Sequence, residues 1–222
     1  MTKNVRCMEN ITDAITESVC ENLYDPWTAK LAEPDAIAVH KFLANRIIWI
    51  PDVVDDNMAA VQRQIMVWNM EDFGLTKEDR KPIILLMMNW GGDADRCWSV
   101  VDTIQTSVTP VWTVNLGICA SAGSYIFMAG AKRFMFRRGY VMIHEGSAQM
   151  QGDAQKMQAA QDSYKKMLKD AAEYVCTQSE IPAATLKKKK ADDWYIYADD
   201  CIKFKIADKI IDSLDEILNC EG

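Results

Sequence analysis

Histidine is nearly absent from this chain of 222 residues; there are two, His40 and His144. Any chemistry that needs an imidazole therefore has two candidates. Cysteine occurs seven times, an odd count with no C-x-x-C pair and no spacing that matches a zinc site. The expected state is a set of buried or half-buried free thiols, in keeping with a cytoplasmic protein. No apolar run reaches the ~20 residues that span a bilayer. The polar first forty residues hold no signal-peptide core, so no membrane association is expected. Neither G-x-x-x-x-G-K-[ST] nor G-x-G-x-x-G occurs, and nucleotide binding has no positive support. Lysine and arginine number 25 against 32 aspartates and glutamates, a net charge of −7. That balance speaks against a nucleic-acid binder that works by neutralising phosphates.

What is present is enough for a globular domain: 49% of residues are hydrophobic and 26% charged. A chain of this size buries a core without disulfide or metal. Residues 1–40 form a preamble with weak helical spacing at Asn10–Tyr24 and breaks at Asp25-Pro26 and Glu33-Pro34. From Arg46 the pattern becomes rhythmic. Short apolar strands are expected at 46–50, 83–88, 111–116, 134–136 and 140–143, with helices at 58–70, 94–107 and 122–131. Gly117–Ser121 reads as a small-residue turn. A long polar helix is expected over about 153–177, followed by a solvated lysine run at 187–190, a strand-like Trp194–Tyr197 and a closing amphipathic segment, 199–211. Strands alternating with helices imply an α/β fold with a largely parallel sheet.

Three polar residues stand where such a fold collects function. His144 ends a strand, and ligands gather at the carboxyl ends of parallel strands. It reads equally as a functional or a structural histidine, whereas His40 beside Lys41 reads as a solvated helix residue. Ser121 lies at a strand-to-helix turn in Gly117-Ile-Cys-Ala-Ser-Ala-Gly123. Its hydroxyl is either a nucleophile beside free backbone N–H groups or an N-cap. Gly91-Gly92, also between strand and helix, offers a further backbone N–H or simply a tight turn. Asp192 and Asp193 are both candidates for a carboxylate that orients the histidine. His144-Glu145 is no zincin helix, because position 148 is Ala.

Ser121, His144 and an aspartate near 193, in that order, resemble the ClpP family, the proteolytic subunit of the ATP-dependent Clp protease. The similarity runs from about Arg46 to Ile211. It is carried by Arg46-Ile-Ile-Trp-Ile with Val54-Asp-Asp, Pro82–Met88 into Asn89-Trp-Gly-Gly, and Gly117–Gly123 with Ala129-Gly-Ala-Lys-Arg133. Val141-Met-Ile-His144, Gln151-Gly-Asp-Ala154 and Asp193-Trp-Tyr-Ile-Tyr-Ala198 complete it.

The resemblance implies a ClpP/crotonase-like fold of repeated βα units with a protruding handle helix, here about 153–177. It implies Ser121 as nucleophile, His144 as general base and Asp193, directly before the aromatic run, as the orienting acid. The backbone N–H groups of Gly92 and Ala122 would form the oxyanion hole, with no metal or cofactor. It further implies stacked rings, typically heptamers forming a tetradecamer, that hydrolyse unfolded polypeptides delivered by an AAA+ unfoldase. Residues 1–40 would be an axial gating extension and 41–222 the peptidase domain.

The sequence departs from the family pattern in places. The glycine turn lacks the usual proline and is one residue shorter; Glu145-Gly-Ser-Ala-Gln-Met150 replaces the usual Gln-Pro and glycine-rich strand; and the preamble is longer. These departures resemble those of a divergent bacterial or phage-encoded member. Two other readings are a non-catalytic subunit on the same fold and a crotonase-like acyl-CoA enzyme.

Overall fold

The computed structural model describes residues 34–218. The chain divides into two units, Met1–Ala44 and Asn45–Gly222. The described part of the first is one helix, α1 (Pro34–Ala44), with Pro34 at its first position, where a missing N–H does no harm. It runs across the boundary expected at residue 40, and His40 is exposed on it. The segment Asn10–Tyr24 lies outside the described residues, as do Cys7, Cys20 and Cys220.

In the second unit, the strands are β1 (Ile47–Ile50), β2 (Ile83–Asn89), β3 (Val111–Ala120), β4 (Lys132–Met135), β5 (Tyr140–Ile143), β6 (Trp194–Tyr197) and β7 (Lys209–Ile210). The helices are α2 (Met58–Glu71), α3 (Ala94–Thr106), α4 (Ala122–Met128), α5 (Ala154–Gln178), α6 (Ala183–Lys189), α7 (Ala198–Lys203) and α8 (Asp215–Leu218). Among the described residues the strands form one sheet in the order β1-β2-β3-β4-β7, with β5 on β3 and β6 on β5. Every pairing is parallel except β5 with β6. This is the α/β fold the alternating pattern implies.

Side-chain alternation assigns the two faces of the sheet. Ile48, Ile50, Ile83, Leu85 and Met87 join the main core with Met58, Val61, Ile65 and Trp68 of α2 and Val100, Val101 and Ile104 of α3. On the other face Ile47, Ile84 and Leu86 are buried, while Trp49 and Met88 are exposed.

β3 corrects one expectation. Gly117–Ala120 is strand, not turn. Up to Asn115 the strand pairs with β4; from Ile118 it pairs with β5 instead. Small residues there accommodate the change of partner, and local composition alone cannot report which strand lies alongside. The segment 199–211 resolves into α7 and β7.

Candidate active site

Parallel strands bring their carboxyl ends to one edge, and the loops that follow β1, β2, β3 and β5 meet there. Ser121 follows β3 with φ 51° and ψ −124°, a conformation rare for a residue with a side chain. Its backbone N–H donates to Met142 O at 2.8 Å, tying it to β5. The hydroxyl makes no N-cap hydrogen bond. Instead Ser121 Oγ lies 2.8 Å from His144 Nε2.

Sheet register supplies the third group. β5 and β6 are antiparallel, with Tyr140 opposite Tyr197 and Ile143 opposite Trp194. One step further along that ladder, His144 faces Asp193, and His144 Nδ1 lies 3.3 Å from Asp193 Oδ1. Register alone favours Asp193 over Asp192. The tautomer with its proton on Nδ1 lets Nε2 accept from the serine hydroxyl. The aspartate side chain is 54% exposed, so water shares its charge.

The glycine turn completes the edge. Gly91 has φ 95° and Gly92 φ 149°, values that favour glycine. A Cβ at Gly91 would sit 2.7 Å from Ser121 Cβ and 2.9 Å from Ala120 O, so the turn packs directly on the serine. Gly92 forms a parallel bridge with Val54: Val54 N–H donates to Gly91 O at 2.9 Å, and Asp93 N–H donates to Val54 O at 2.8 Å. That pattern turns the N–H of Gly92 away from Val54. Ala122 opens α4, where its N–H has no intrahelical acceptor. Gly92, Ser121, Ala122 and His144 all line one cleft of about 200 Å³.

Sequence reasoning left the other walls of this cleft unassigned. Trp98 stacks on Tyr125 with ring centroids 5.2 Å apart, and Met167, Leu168 and Ala171 face them from α5. Tyr164, Met167, Leu168 and Ala171 follow the i, i+3, i+4, i+7 spacing of one helical face, which was the available signal. Burial pushes the Tyr125 phenol up to about 12, leaving it protonated. The lysine run is exposed except at its end, where Lys190 Nζ pairs with Glu145 Oε1 at 2.9 Å and Lys190 O accepts from Glu145 N–H at 3.1 Å. These contacts tie the segment after His144 to the turn before Asp193.

Cys97, Cys119 and Cys201 are buried free thiols and Cys176 is half-buried. Burial raises the first three above the ordinary thiol range, so they stay protonated and do not compete as nucleophiles. Among the described residues, no group of three or more histidine, cysteine or carboxylate side chains is arranged to hold a metal ion. No described helix is long and apolar enough to cross a membrane.

A serine hydroxyl 2.8 Å from one ring nitrogen of a histidine, with an aspartate 3.3 Å from the other, at the carboxyl edge of a parallel α/β sheet, is the arrangement of a hydrolase-like site. Comparison with known proteins places the chain more closely. The Clp protease family model matches residues 32–214, and the chain belongs to that family. Among its relatives is an ATP-dependent Clp protease proteolytic subunit of Porphyromonas gingivalis, 24% identical over 94% of this chain and 92% of the relative. Proteolytic subunit 2 of Bifidobacterium longum is 26% identical over 81% of this chain and 86% of its own length. Proteolytic subunit 1 of Frankia casuarinae is 28% identical over 78% of this chain and 79% of its own length.

Proposed function

We propose that this chain is a serine endopeptidase subunit that hydrolyses unfolded polypeptides, with Ser121 as nucleophile, His144 as general base and Asp193 as the orienting acid. The observation that carries the reading is the 2.8 Å approach of Ser121 Oγ to His144 Nε2. Asp193 stands on the opposite ring nitrogen.

Ser121 Oγ attacks the peptide carbonyl carbon as His144 Nε2 takes its proton. The imidazolium that forms shortens the link to Asp193, which stabilises it without accepting the proton. The tetrahedral oxyanion is held by the N–H groups of Gly92 and Ala122. Collapse breaks the C–N bond, and His144 delivers its proton to the leaving amine. Water, deprotonated by His144, then hydrolyses the acyl-enzyme and regenerates the serine. None of these steps uses a metal or cofactor. The cleft between Trp98, Tyr125 and the α5 face receives the side chain beside the scissile bond.

Family membership supports a wider reading. The subunits form stacked heptameric rings, a tetradecamer, with α5 as the handle between rings; of its 25 residues, only Ala171 and Val175 are buried in the single chain. Residues 1–40 gate the axial pore and residues 41–222 form the peptidase domain. An AAA+ unfoldase supplies ATP-driven unfolding, and the assembly works in the cytoplasm.

The deciding experiment labels the assembled protein with a fluorophosphonate and maps the adduct by mass spectrometry beside Ser121→Ala. Label on Ser121, absent from the variant, is the expected outcome. An assembled wild type that takes no label overturns the catalytic reading and favours a non-catalytic subunit.

A further inference from the structure

Asn89 ends β2 with no solvent exposure, a polar side chain inside a largely apolar core. A carboxamide in that position must find partners or destabilise the fold. Its Nδ2 donates to Pro51 O at 2.5 Å, just past the end of β1. Its Oδ1 accepts from Gly91 N–H at 2.8 Å and so shapes the glycine turn. The same oxygen lies so close to Gly123 that any Cβ there would overlap it. One side chain therefore touches the end of β1, the turn bearing Gly92, and the first turn of α4 two residues beyond Ser121.

The geometry points to Asn89 as a positioning residue that fixes the separation of the Gly92 and Ala122 amides, and with it the fit of the site to an oxyanion. This rests on the serine-peptidase reading above. The two amides lie on different segments, and the bridge to Val54 secures only the glycine side. Asn89 reaches both. It holds the turn through a hydrogen bond and the helix through contact with Gly123, where the missing side chain lets the carboxamide approach. Asn89 also gives the short turn an anchor that owes nothing to proline.

Asn115 is an internal control. It too is fully buried, accepts from the N–H of a glycine two residues on (Gly117, 2.9 Å) and donates to a neighbouring strand (Tyr140 O, 2.9 Å). These hydrogen bonds secure the β3–β5 junction, and neither goes to the glycine turn or to α4.

The test compares Asn89→Asp, Gly123→Ala and Asn115→Asp in assembled protein, using a small fluorogenic peptide, a peptide aldehyde and the matching peptide alcohol. The aldehyde forms a hemiacetal whose oxygen occupies the oxyanion position; the alcohol only fills the cleft. For Asn89→Asp, kcat should fall by about 10²-fold, as when an oxyanion donor is lost. KM and alcohol affinity should change little, while aldehyde affinity falls with kcat. Gly123→Ala, which keeps Asn89 but drives a methyl into its carboxamide, should give the same signature and decides alone if Asn89→Asp does not assemble. Asn115→Asp should lower stability without separating aldehyde from alcohol. Unchanged kcat in both site variants, or parallel weakening of aldehyde and alcohol, overturns the inference. A wild type that fluorophosphonate fails to label defeats the underlying peptidase reading instead, so the two failures are distinguishable.

Discussion

The two edges of the sheet are built on opposite principles. At the amino edge, before β1 and β3 and just after α2, charges are drawn inward and paired. Arg46 donates to both oxygens of Asp72 at 2.6 and 2.7 Å, Thr109 Oγ1 donates to Asp72 Oδ2 at 2.7 Å, and Arg80 donates to Thr109 Oγ1 at 3.2 Å. Asp72 and Thr109 are buried, and each of their side-chain oxygens is hydrogen-bonded. At the carboxyl edge Ser121, His144 and Asp193 keep part of their surface exposed, Gly91, Gly92, Gly146 and Ser121 hold positive φ, and Gly92 and Ala122 line a cleft. The comparison separates polar groups that are buried and paired within the fold from polar groups that line an open cleft.

Substitutions should divide along that line. The largest effect is expected from Ser121→Ala, which should lower peptide turnover by at least about 10⁴-fold. Chemical unfolding should shift by less than about 0.5 kcal/mol, as for a side chain outside the core. Next, Asp193→Asn should reduce kcat by about 10⁴-fold through the wrong histidine tautomer. Steady-state kinetics beside Asp192→Asn check this, because a larger loss in the neighbour would reject the register argument.

The opposite edge should respond in stability alone. Asp72→Asn removes the charged partner nearest Arg46, leaving it Glu71 at 3.7 Å and Lys81 O. It should cost about 2 kcal/mol in urea unfolding, as for a lost hydrogen bond between charged groups. The folded fraction should retain its specific activity. The same group sets a pH dependence. Hydrogen bonds from Arg46, and then from Thr109, hold the Asp72 carboxyl below the usual carboxylate range, against the opposing effect of burial. Its folded pKa is therefore lower than the unfolded value of about 3.9. The stabilisation is fully present above the unfolded value and is lost as pH falls from there through the folded one. Urea titrations from about pH 6 to 2 should show a steeper acid loss in wild type than in Asp72→Asn. Equal slopes would remove Asp72 from the acid limb.

The smallest effect sharpens the comparison at its boundary. The Glu145–Lys190 pair sits at the carboxyl edge yet resembles the amino-edge ion pairs in form. Lys190→Met should cost less than about 1 kcal/mol of stability, because the glutamate partner is half solvated. A measurable drop in peptidase rate, reversed by exchanging the two charges, would assign the pair to catalytic alignment.

The apolar runs at Ile47–Ile50, Ile83–Met88 and Tyr140–Ile143 announced their strands because a covered parallel sheet demands continuous hydrophobicity. The long helix was legible from its polar length, and the structure shows Asp153 capping it by accepting from Lys156 N–H. Ser121 and His144 stood out as a rare chemistry at strand ends. Gly117–Ala120 was misread because small residues suit a turn and a strand crossing equally well. Lys190 was grouped with its exposed neighbours because the ion pair with Glu145 is formed across space. Asn89 and Gly123 gave no signal of their joint role, since their closeness exists only once β2 and α4 are packed.

The sequence by itself determined the alternation of strands and helices, the edge where function gathers, and the residue types available there, because periodicity and turn chemistry are local properties of the chain. Only the tertiary structure decided which aspartate faces His144, which nitrogen meets Ser121, and how the glycine turn lies against α4. Those choices depend on β5–β6 register and on contacts between segments distant in sequence, and such distances are set by packing of the whole sheet.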